Sequence, residues 1–126
     1  MKLRSLLNEN IESWSKSIKA KYNLKTFFVF EYDDTIKLSS IIINKENQGQ
    51  GTGSKVMEEL CKYADRNKMK IVLTPGLTDK QHGTTSQSRL IDFYKKFDFV
   101  LNKGRNKDFT ISELMFRLFN LINFTT

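Results

Sequence analysis

The sequence predicts a single-domain α/β protein, built on a mixed, mostly antiparallel central sheet with helices on both faces. The chain has 126 residues, of which 39% are hydrophobic, so it can bury one core. Strand-like and helix-like patterns alternate, and strands flank single helices on both sides. No repeat, linker or low-complexity segment interrupts this order. Residues 1–126 are therefore expected to form one domain.

The N-terminal third is predicted to be a helix followed by a β-hairpin. Apolar residues recur at helical spacing from Leu3 to about Ala20, with charged and small polar residues between them. Aromatic and β-branched residues dominate 26–32, and a second strand-like run covers 35–44. The pair Asp33–Asp34 between the runs is a turn signal, so the two strands should pair antiparallel.

Helices and strands continue to alternate in the rest of the chain. The polar 76–86 stretch is the longest predicted loop, and long loops often carry function. The remaining predicted elements are a helix from the 48–54 stretch to about Asn67, an apolar strand over 69–74, a helix with Ser86 or Ser88 as its N-cap, a strand over 99–101, a basic turn over 102–108 and a last strand over 111–119.

Composition limits the partners and the compartment. Lysine and arginine total 21 against 14 acidic residues, a net charge of +7, which favours a polyphosphate cofactor, nucleic acid or an acidic protein surface without choosing among them. No apolar run approaches bilayer length, so no membrane partner is predicted. The single cysteine, Cys61, lies on the apolar face of a helix and is expected to be a small buried hydrophobe. A cytoplasmic protein is predicted.

A glycine-rich stretch between a strand and a helix is the clearest functional signal. It follows the apolar residues Ile41, Ile42 and Ile43 and opens a helix. Glycines allow positive φ and close approach of the backbone to a ligand, and the amides of a first helical turn attract anions. The sequence therefore predicts a phosphate-binding loop made of Gln48, Gly49, Gln50, Gly51, Thr52, Gly53 and Ser54.

The spacing of the glycines selects among phosphate ligands. A P-loop needs Gly-Lys-Ser/Thr, whereas Lys55 here follows Ser54. A dinucleotide fingerprint counted from Gly49 and Gly51 needs its third glycine at Ser54. The pattern that fits is Gln/Arg-x-x-Gly-x-Gly/Ala, through Gln48, Gly51 and Gly53.

This pattern resembles the pyrophosphate loop of the GNAT acyltransferase family. A second motif resembles the family's helix that reads Ala-x-x-x-Tyr-x-x-x-Gly-Phe, with Tyr94 and Phe99 in the matching positions and Asp98 in place of glycine. The stretches 102–109 and 112–117 look like the tail of small GNAT proteins often encoded by bacteriophages. The resemblance covers about residues 36–117.

The resemblance implies a GNAT-like fold with a shortened N-terminal part and an N-acetyltransferase that uses acetyl-coenzyme A and no metal. A trimmed acceptor pocket with a basic rim favours a primary amine on a macromolecule, a host protein first and an aminoacyl-tRNA or other nucleic-acid-linked amine second. The rival hypothesis is a non-catalytic GNAT-like binding module. A phage-encoded protein would act in the host cytoplasm, and a monomer or a homodimer is expected.

The resemblance also assigns roles to single residues. The loop backbone binds the diphosphate, and the strand Ile41–Ile43 holds the pantetheine arm, while Gln87 stands where an asparagine often contacts the cofactor. Tyr94 contacts the cofactor and is the candidate general acid; the alternative is an aromatic residue of the core. The resemblance assigns no base, because the strand before the loop has Lys37, Ser39 and Ser40 where many members of the family place a glutamate. From the residues, Glu113 on the last strand is the first candidate base, Glu31 on the first strand the second, and a water chain the third; the alternative for both carboxylates is a solvated or salt-bridged surface group.

The remaining polar candidates are weaker. His82 has no partner histidine or cysteines, so it is expected to be an exposed loop residue and no zinc site is predicted. Arg105, Lys107 and Arg117 are candidates to contact an acidic acceptor or the 3′-phosphate, and the alternative for all three is a solvated charged face.

Overall fold

The computed structural model describes residues 10–76 and 87–120, which form a mixed sheet with α-helices. The strand order is β1-β2-β3-β5-β4; β2 and β3 are parallel, and the other neighbours are antiparallel. The predicted α/β class with a mostly antiparallel sheet is confirmed. The elements are α1 (Ile11–Lys21), β1 (Leu24–Tyr32), β2 (Thr35–Ile43), α2 (Thr52–Arg66), β3 (Lys70–Leu73), α3 (Gln87–Lys95), β4 (Val100–Leu101) and β5 (Met115–Arg117).

The predicted hairpin is confirmed. Strands β1 and β2 pair antiparallel from Leu24↔Ile43 to Tyr32↔Thr35. Their turn residues Asp33 and Asp34 both have positive φ, 45° and 58°, as a tight two-residue hairpin turn requires.

The first described helix begins later than the sequence pattern indicates. Asn10 has extended dihedral angles, and its side-chain oxygen accepts a 2.8 Å hydrogen bond from the Ser13 amide, so Asn10 is the N-cap and α1 starts at Ile11. The predicted start at Leu3 lies outside the described residues. Farther along, α3 begins at Gln87, and both the 77–86 part of the predicted loop and His82 lie outside the described residues as well.

The described helices share one face of the sheet, whereas the sequence predicts helices on both. The crossovers β2–α2–β3 and β3–α3–β4 run in the same direction across the sheet, so right-handed connections place α2 and α3 on the same side. Helix α1 joins them there, because the Trp14 ring lies 4.7 Å from that of Tyr63 on α2 and 6.0 Å from that of Phe27 on β1. The main core fills this helical face.

A loop segment covers part of the opposite face. Residues 102–114, called the cover segment below, place Ile111 against Val72 of β3 and Phe116 of β5. The Asn102 amide organises the segment: its Nδ2 donates to the carbonyls of Ile111 (2.9 Å) and Glu113 (3.2 Å), and its Oδ1 accepts from the Asp108 amide (2.7 Å).

The predicted last strand over 111–119 is therefore wrong in its bounds, since β5 spans only Met115–Arg117. At the start of the predicted strand, backbone groups form hydrogen bonds with side chains and not with a neighbouring strand. The carbonyls of Ile111 and Glu113 accept from Asn102, and the Leu114 amide donates to Thr74 Oγ1 at 3.2 Å.

A buried ion pair joins α2 to β5. Arg117 donates to both carboxylate oxygens of Asp65, at 2.8 and 3.0 Å, and its Nε donates to the Phe97 carbonyl at 2.9 Å. The Asn120 amide adds a third bond to Asp65, at 2.7 Å. Both roles predicted for Arg117, ligand contact and solvated charge, are wrong, because its guanidinium is buried and fixes the helix to the sheet.

Candidate functional site

The glycine-rich loop leaves the N-terminus of α2 open. Gly49 and Gly51 have φ of 81° and 76°, and a Cβ built on either would meet nothing within 4 Å. Gly51 is the N-cap and offers no side-chain acceptor, and the first turn carries no acidic residue. The first-turn amides and the positive end of the helix dipole are therefore exposed to solvent, and no acidic side chain of the first turn neutralises them.

The longer side chains of the loop turn back to the chain that precedes it. Gln48 Nε2 donates to the Ile43 carbonyl at 3.1 Å, and Gln50 Nε2 donates to the Glu46 carbonyl at 3.0 Å. Thr52 Oγ1 makes a long 3.4 Å bond to the Asn47 carbonyl. These bonds brace the loop against the end of β2. Ser54 is half-buried in the first turn of α2.

Gly53 allows three elements to meet. A Cβ at this position would lie 3.3 Å from Cδ1 of Ile43 on β2 and 3.6 Å from Cζ of Phe93 on α3. The absent side chain therefore lets the start of α2 approach the end of β2 beside α3.

Strands β2 and β3 part halfway along β2. Their ladder contains Thr35↔Lys70, Ile36↔Ile71 and Lys37↔Val72 and stops before Leu73, which keeps its pairing with Met115 on the other edge of β3. A register shift follows within β2, because Ser40 pairs with Phe28 and Leu38 with Val29, which leaves Ser39 as an extra residue. The predicted pantetheine residues lie beyond this bulge, Ile41 buried and both Ile42 and Ile43 half-buried.

Helix α3 places Tyr94 in the core. The side chain is 1% exposed, and its ring meets those of Phe93 at 5.2 Å and Phe99 at 5.7 Å, both edge-on. This packing agrees with the alternative of a core aromatic; the general-acid role stays a prediction. Asp98 has a φ of 72°, so it takes the left-handed position that glycine holds in the motif.

Gln87 lies at the start of the same helix. Its Nε2 donates to the Pro75 carbonyl at 3.0 Å and so connects α3 to the chain just after β3. The predicted cofactor contact of Gln87 stays a prediction.

Glu113 lies next to the point where β2 and β3 part. Its side chain is 7% exposed, and its Oε2 lies 3.1 Å from Nζ of Lys37, the last β2 residue in the ladder with β3. Within the described ranges, Oε1 of Glu113 accepts no hydrogen bond. Glu113 precedes β5 and is not on the last strand, contrary to the prediction.

Glu31, the second candidate base, lies on the other face of the sheet. It pairs with Ile36 and alternates with the buried Phe27 and Val29, so it faces the helical side. Ile36 is next to Lys37, so both carboxylates lie near the level at which β2 and β3 part. Of the two, Glu113 is the one on the face that carries Lys37.

Sequence reasoning missed two features near Glu113. One is the ion pair with Lys37, which joins residues far apart in the chain. The other is a row of exposed aromatic rings on β1, namely Phe28, Phe30 and Tyr32. Their alternation with buried residues was a usable signal, because the outward positions of a two-faced strand are normally polar. Burial raises the pKa of Tyr32, and the nearby charge of Glu113 raises it further.

Two other expectations concern reactive or ligating groups. Burial raises the pKa of the Cys61 thiol to about 12, as expected for an inert buried side chain. Among residues 10–76 and 87–120, no group of three or more histidine, cysteine, aspartate or glutamate side chains is placed to hold a metal ion. In that same part of the chain, no helix has the length and apolar character needed to cross a membrane.

Comparison with models of protein families gave a match for this chain. A family model described as an acetyltransferase (GNAT) domain matches residues 22–101, well over half of the chain. The match includes the 48–54 loop and α3 and ends before the cover segment. No curated protein and no solved structure gave a match. The resemblance of the tail to phage proteins stays a prediction.

Proposed function

Because the chain belongs to the GNAT acetyltransferase family, we propose that it moves an acetyl group from acetyl-coenzyme A to a primary amine on a protein. The observation that carries the proposal is the open N-terminus of α2, which lies directly after the half of β2 that has left its ladder with β3. Membership of the family supports acetyl transfer in general. The donor and the acceptor are the specific parts of the proposal.

The loop residues suit a diphosphate. Backbone amides from Gly51 to Ser54 point out of the first helical turn, and the left-handed glycines leave open space in front of them. Gln48 and Gln50 hold the loop in shape through bonds to backbone carbonyls. The loop therefore binds the donor through its backbone, and its side chains set the geometry.

The free half of β2 suits the rest of the donor. Beyond Lys37, the β2 edge that faces away from β1 is outside the β2–β3 ladder, and the Ser39 bulge turns its amides locally. Residues Ile41–Ile43 line the pantetheine arm. A backbone N–H at the bulge donates a hydrogen bond to the thioester oxygen as negative charge develops on it. One such donor stabilises the transition state by about 3–4 kcal/mol.

Two side chains handle the protons. Glu113 takes a proton from the acceptor ammonium, directly or through one water, because Oε1 is open to a donor while Oε2 holds Lys37. Tyr94 donates its phenolic proton to the departing thiolate, since a phenol is protonated at neutral pH. Both roles are proposals for the residues named.

Isothermal titration calorimetry with coenzyme A and acetyl-coenzyme A tests the donor. Wild type should bind, and Gly51→Ala should bind at least about tenfold more weakly, because the added methyl enters the space in front of the amides. Gly104→Ala is the matched control: it has φ of 60° and an equally open Cβ position, but it lies in the cover segment. Absence of donor binding to wild type would refute the proposal.

A non-catalytic binding module, or an acceptor carried on nucleic acid, is the second candidate. It is favoured by the exposed cations Lys103, Arg105 and Lys107 of the cover segment, and by the exposed ring of Phe109 below Lys107. Strongly salt-dependent binding of single-stranded RNA without donor affinity would select the module. RNA binding together with donor affinity and acetyl transfer to an aminoacyl-tRNA would select the nucleic-acid-linked acceptor.

A further inference from the structure

Three aromatic rings form an exposed row on the face opposite the helices. Phe28, Phe30 and Tyr32 are 54%, 45% and 46% exposed, and the rings of Phe28 and Phe30 are 5.1 Å apart. They alternate with Phe27 and Val29, which point into the core. A contiguous apolar patch of this kind on a folded domain usually marks a place where something binds.

The aromatic row lies level with the proposed transfer site. Phe30 pairs with Lys37, where the β2–β3 ladder ends, and Phe28 pairs with Ser40 at the bulge. Neighbouring strands are about 4.8 Å apart, so the row borders the β2 backbone that is proposed to hold the thioester. The helices fill the other face at this level, so the row lies on the side from which an acceptor can approach.

The carboxylate next to the row gives it a chemical preference. Glu113 lies across β2 from the row, and its negative charge is felt at Tyr32, whose pKa it helps to raise. Its Oε1 has no hydrogen-bond donor within the described ranges. Aromatic faces bind aliphatic stems and cationic heads, and a carboxylate oxygen accepts from an ammonium. This combination suits a lysine side chain.

We propose that the acceptor is a lysine within an extended, apolar-rich polypeptide segment that lies along the Phe28–Phe30–Tyr32 row and extends its amine toward Glu113. This inference rests on the proposed acetyltransferase function and names its substrate class. The segment approaches from the side opposite the helices, and the row determines its affinity.

Two rival acceptors fit the surface less well. A cavity of about 520 Å³ between α1 and β1 is lined by Phe28 and Phe30, but Tyr32 lies outside it, so a free small amine held there would leave part of the row uncovered. A nucleic acid needs cations along its phosphates, whereas Lys37, which pairs with Phe30, lies 3.1 Å from Glu113. Of the two lysines that line the cavity beside Phe28 and Phe30, Lys16 lies 3.4 Å from Glu12, so only Lys19 adds a cation there without an acidic partner among the described residues. The exposed cations Lys103, Arg105 and Lys107 lie on the cover segment, so phosphates would bind there and not along the row.

The test is acetyl transfer from labelled acetyl-coenzyme A to a short synthetic peptide with one lysine between leucine and phenylalanine, compared with spermidine and lysine amide. The double variant Phe28→Ser/Phe30→Ser should raise the KM for the peptide at least about tenfold, with kcat and donor affinity unchanged, because it removes only ground-state contacts. Phe109→Ser is the matched control, since this ring is 88% exposed but lies outside the row. It should behave as wild type.

The outcomes separate the inference from the proposed function. Equal loss in the Phe109→Ser control, or an unchanged peptide KM in the double variant, overturns the inference while acetyl transfer stands. Spermidine or lysine amide used as efficiently as the peptide also overturns it. Absence of donor binding by calorimetry overturns both proposals. A raised peptide KM with unchanged use of the small amines supports the inference.

Discussion

Two buried carboxylates, Asp65 and Glu113, lie on opposite faces of the sheet and are satisfied to different degrees. Asp65 is fully buried; Arg117 bonds to both of its oxygens, and the Asn120 amide adds a third bond. Glu113 has one ion pair, to the half-exposed Lys37, and an oxygen that accepts no bond in the described ranges. The first carboxylate has all the partners its burial demands, and the second has room for another donor.

The number of hydrogen-bond partners distinguishes a carboxylate that stabilises the fold from one that is a candidate for catalysis. A buried ionic group costs free energy unless its partners are complete, so complete partners indicate a role in holding the fold. An incomplete buried group is tolerated mainly where a ligand or a reacting group supplies the missing partner. Asp65 fixes α2 to β5, whereas Glu113 lies where the acceptor amine is proposed to enter.

The largest expected effect is on stability and concerns Asp65. Asp65→Asn leaves the Arg117 guanidinium buried without its counter-charge, so the free energy of unfolding should fall by about 3–5 kcal/mol. Glu113→Gln is the matched change on the other face of the sheet. It should lower the free energy of unfolding by about 1 kcal/mol or less, because the Lys37 ammonium is exposed to solvent. Urea unfolding followed by circular dichroism measures both. Equal losses would remove the distinction between the two carboxylates.

The next effect is on turnover and concerns Glu113. Glu113→Gln keeps the size of the side chain and removes the base, so kcat/KM for the amine should fall about 10³-fold, equivalent to about 4 kcal/mol. Donor affinity, measured by calorimetry, should stay at the wild-type value. Undiminished turnover would mean that a water chain or Glu31 accepts the proton, and Glu113 would then resemble Asp65 in function.

Local patterns predicted the part of the site that depends on backbone. Backbone conformation at these positions depends on neighbours within a few residues, as at the glycines 49, 51 and 53 and at the Asp33–Asp34 turn. The structure has the expected loop and hairpin. Family resemblance placed these local signals in the correct fold class. The donor loop was therefore readable from sequence, although its ligand is still a proposal.

Long-range pairings were not readable in the same way. Lys37 and Glu113 meet because β3 separates from β2 at Lys37↔Val72 and the cover segment crosses the gap, and no local pattern encodes that crossing. The apolar alternation of 111–119 predicts a strand longer than β5. In the structure, backbone groups at the start of this range bond to the side chains of Asn102 and Thr74 and not to a neighbouring strand. Arg117 was misjudged because the position of its partner depends on how α2 packs.

The smallest expected effect concerns Tyr94. It decides whether this side chain is a structural group, like Asp65, or a catalytic one, as proposed for Glu113. Its side chain is as buried as Asp65, yet the proposal gives it a chemical role like that of Glu113. Tyr94→Phe keeps the ring contacts with Phe93 and Phe99 and removes only the hydroxyl, so kcat should fall about 10²-fold, equivalent to about 2.7 kcal/mol, while the KM for the amine stays constant. Steady-state kinetics at saturating donor measures this. Unchanged kcat together with a lower free energy of unfolding would assign Tyr94 to the core alone, because a hydroxyl that stabilises the fold without affecting thiolate departure is a structural group.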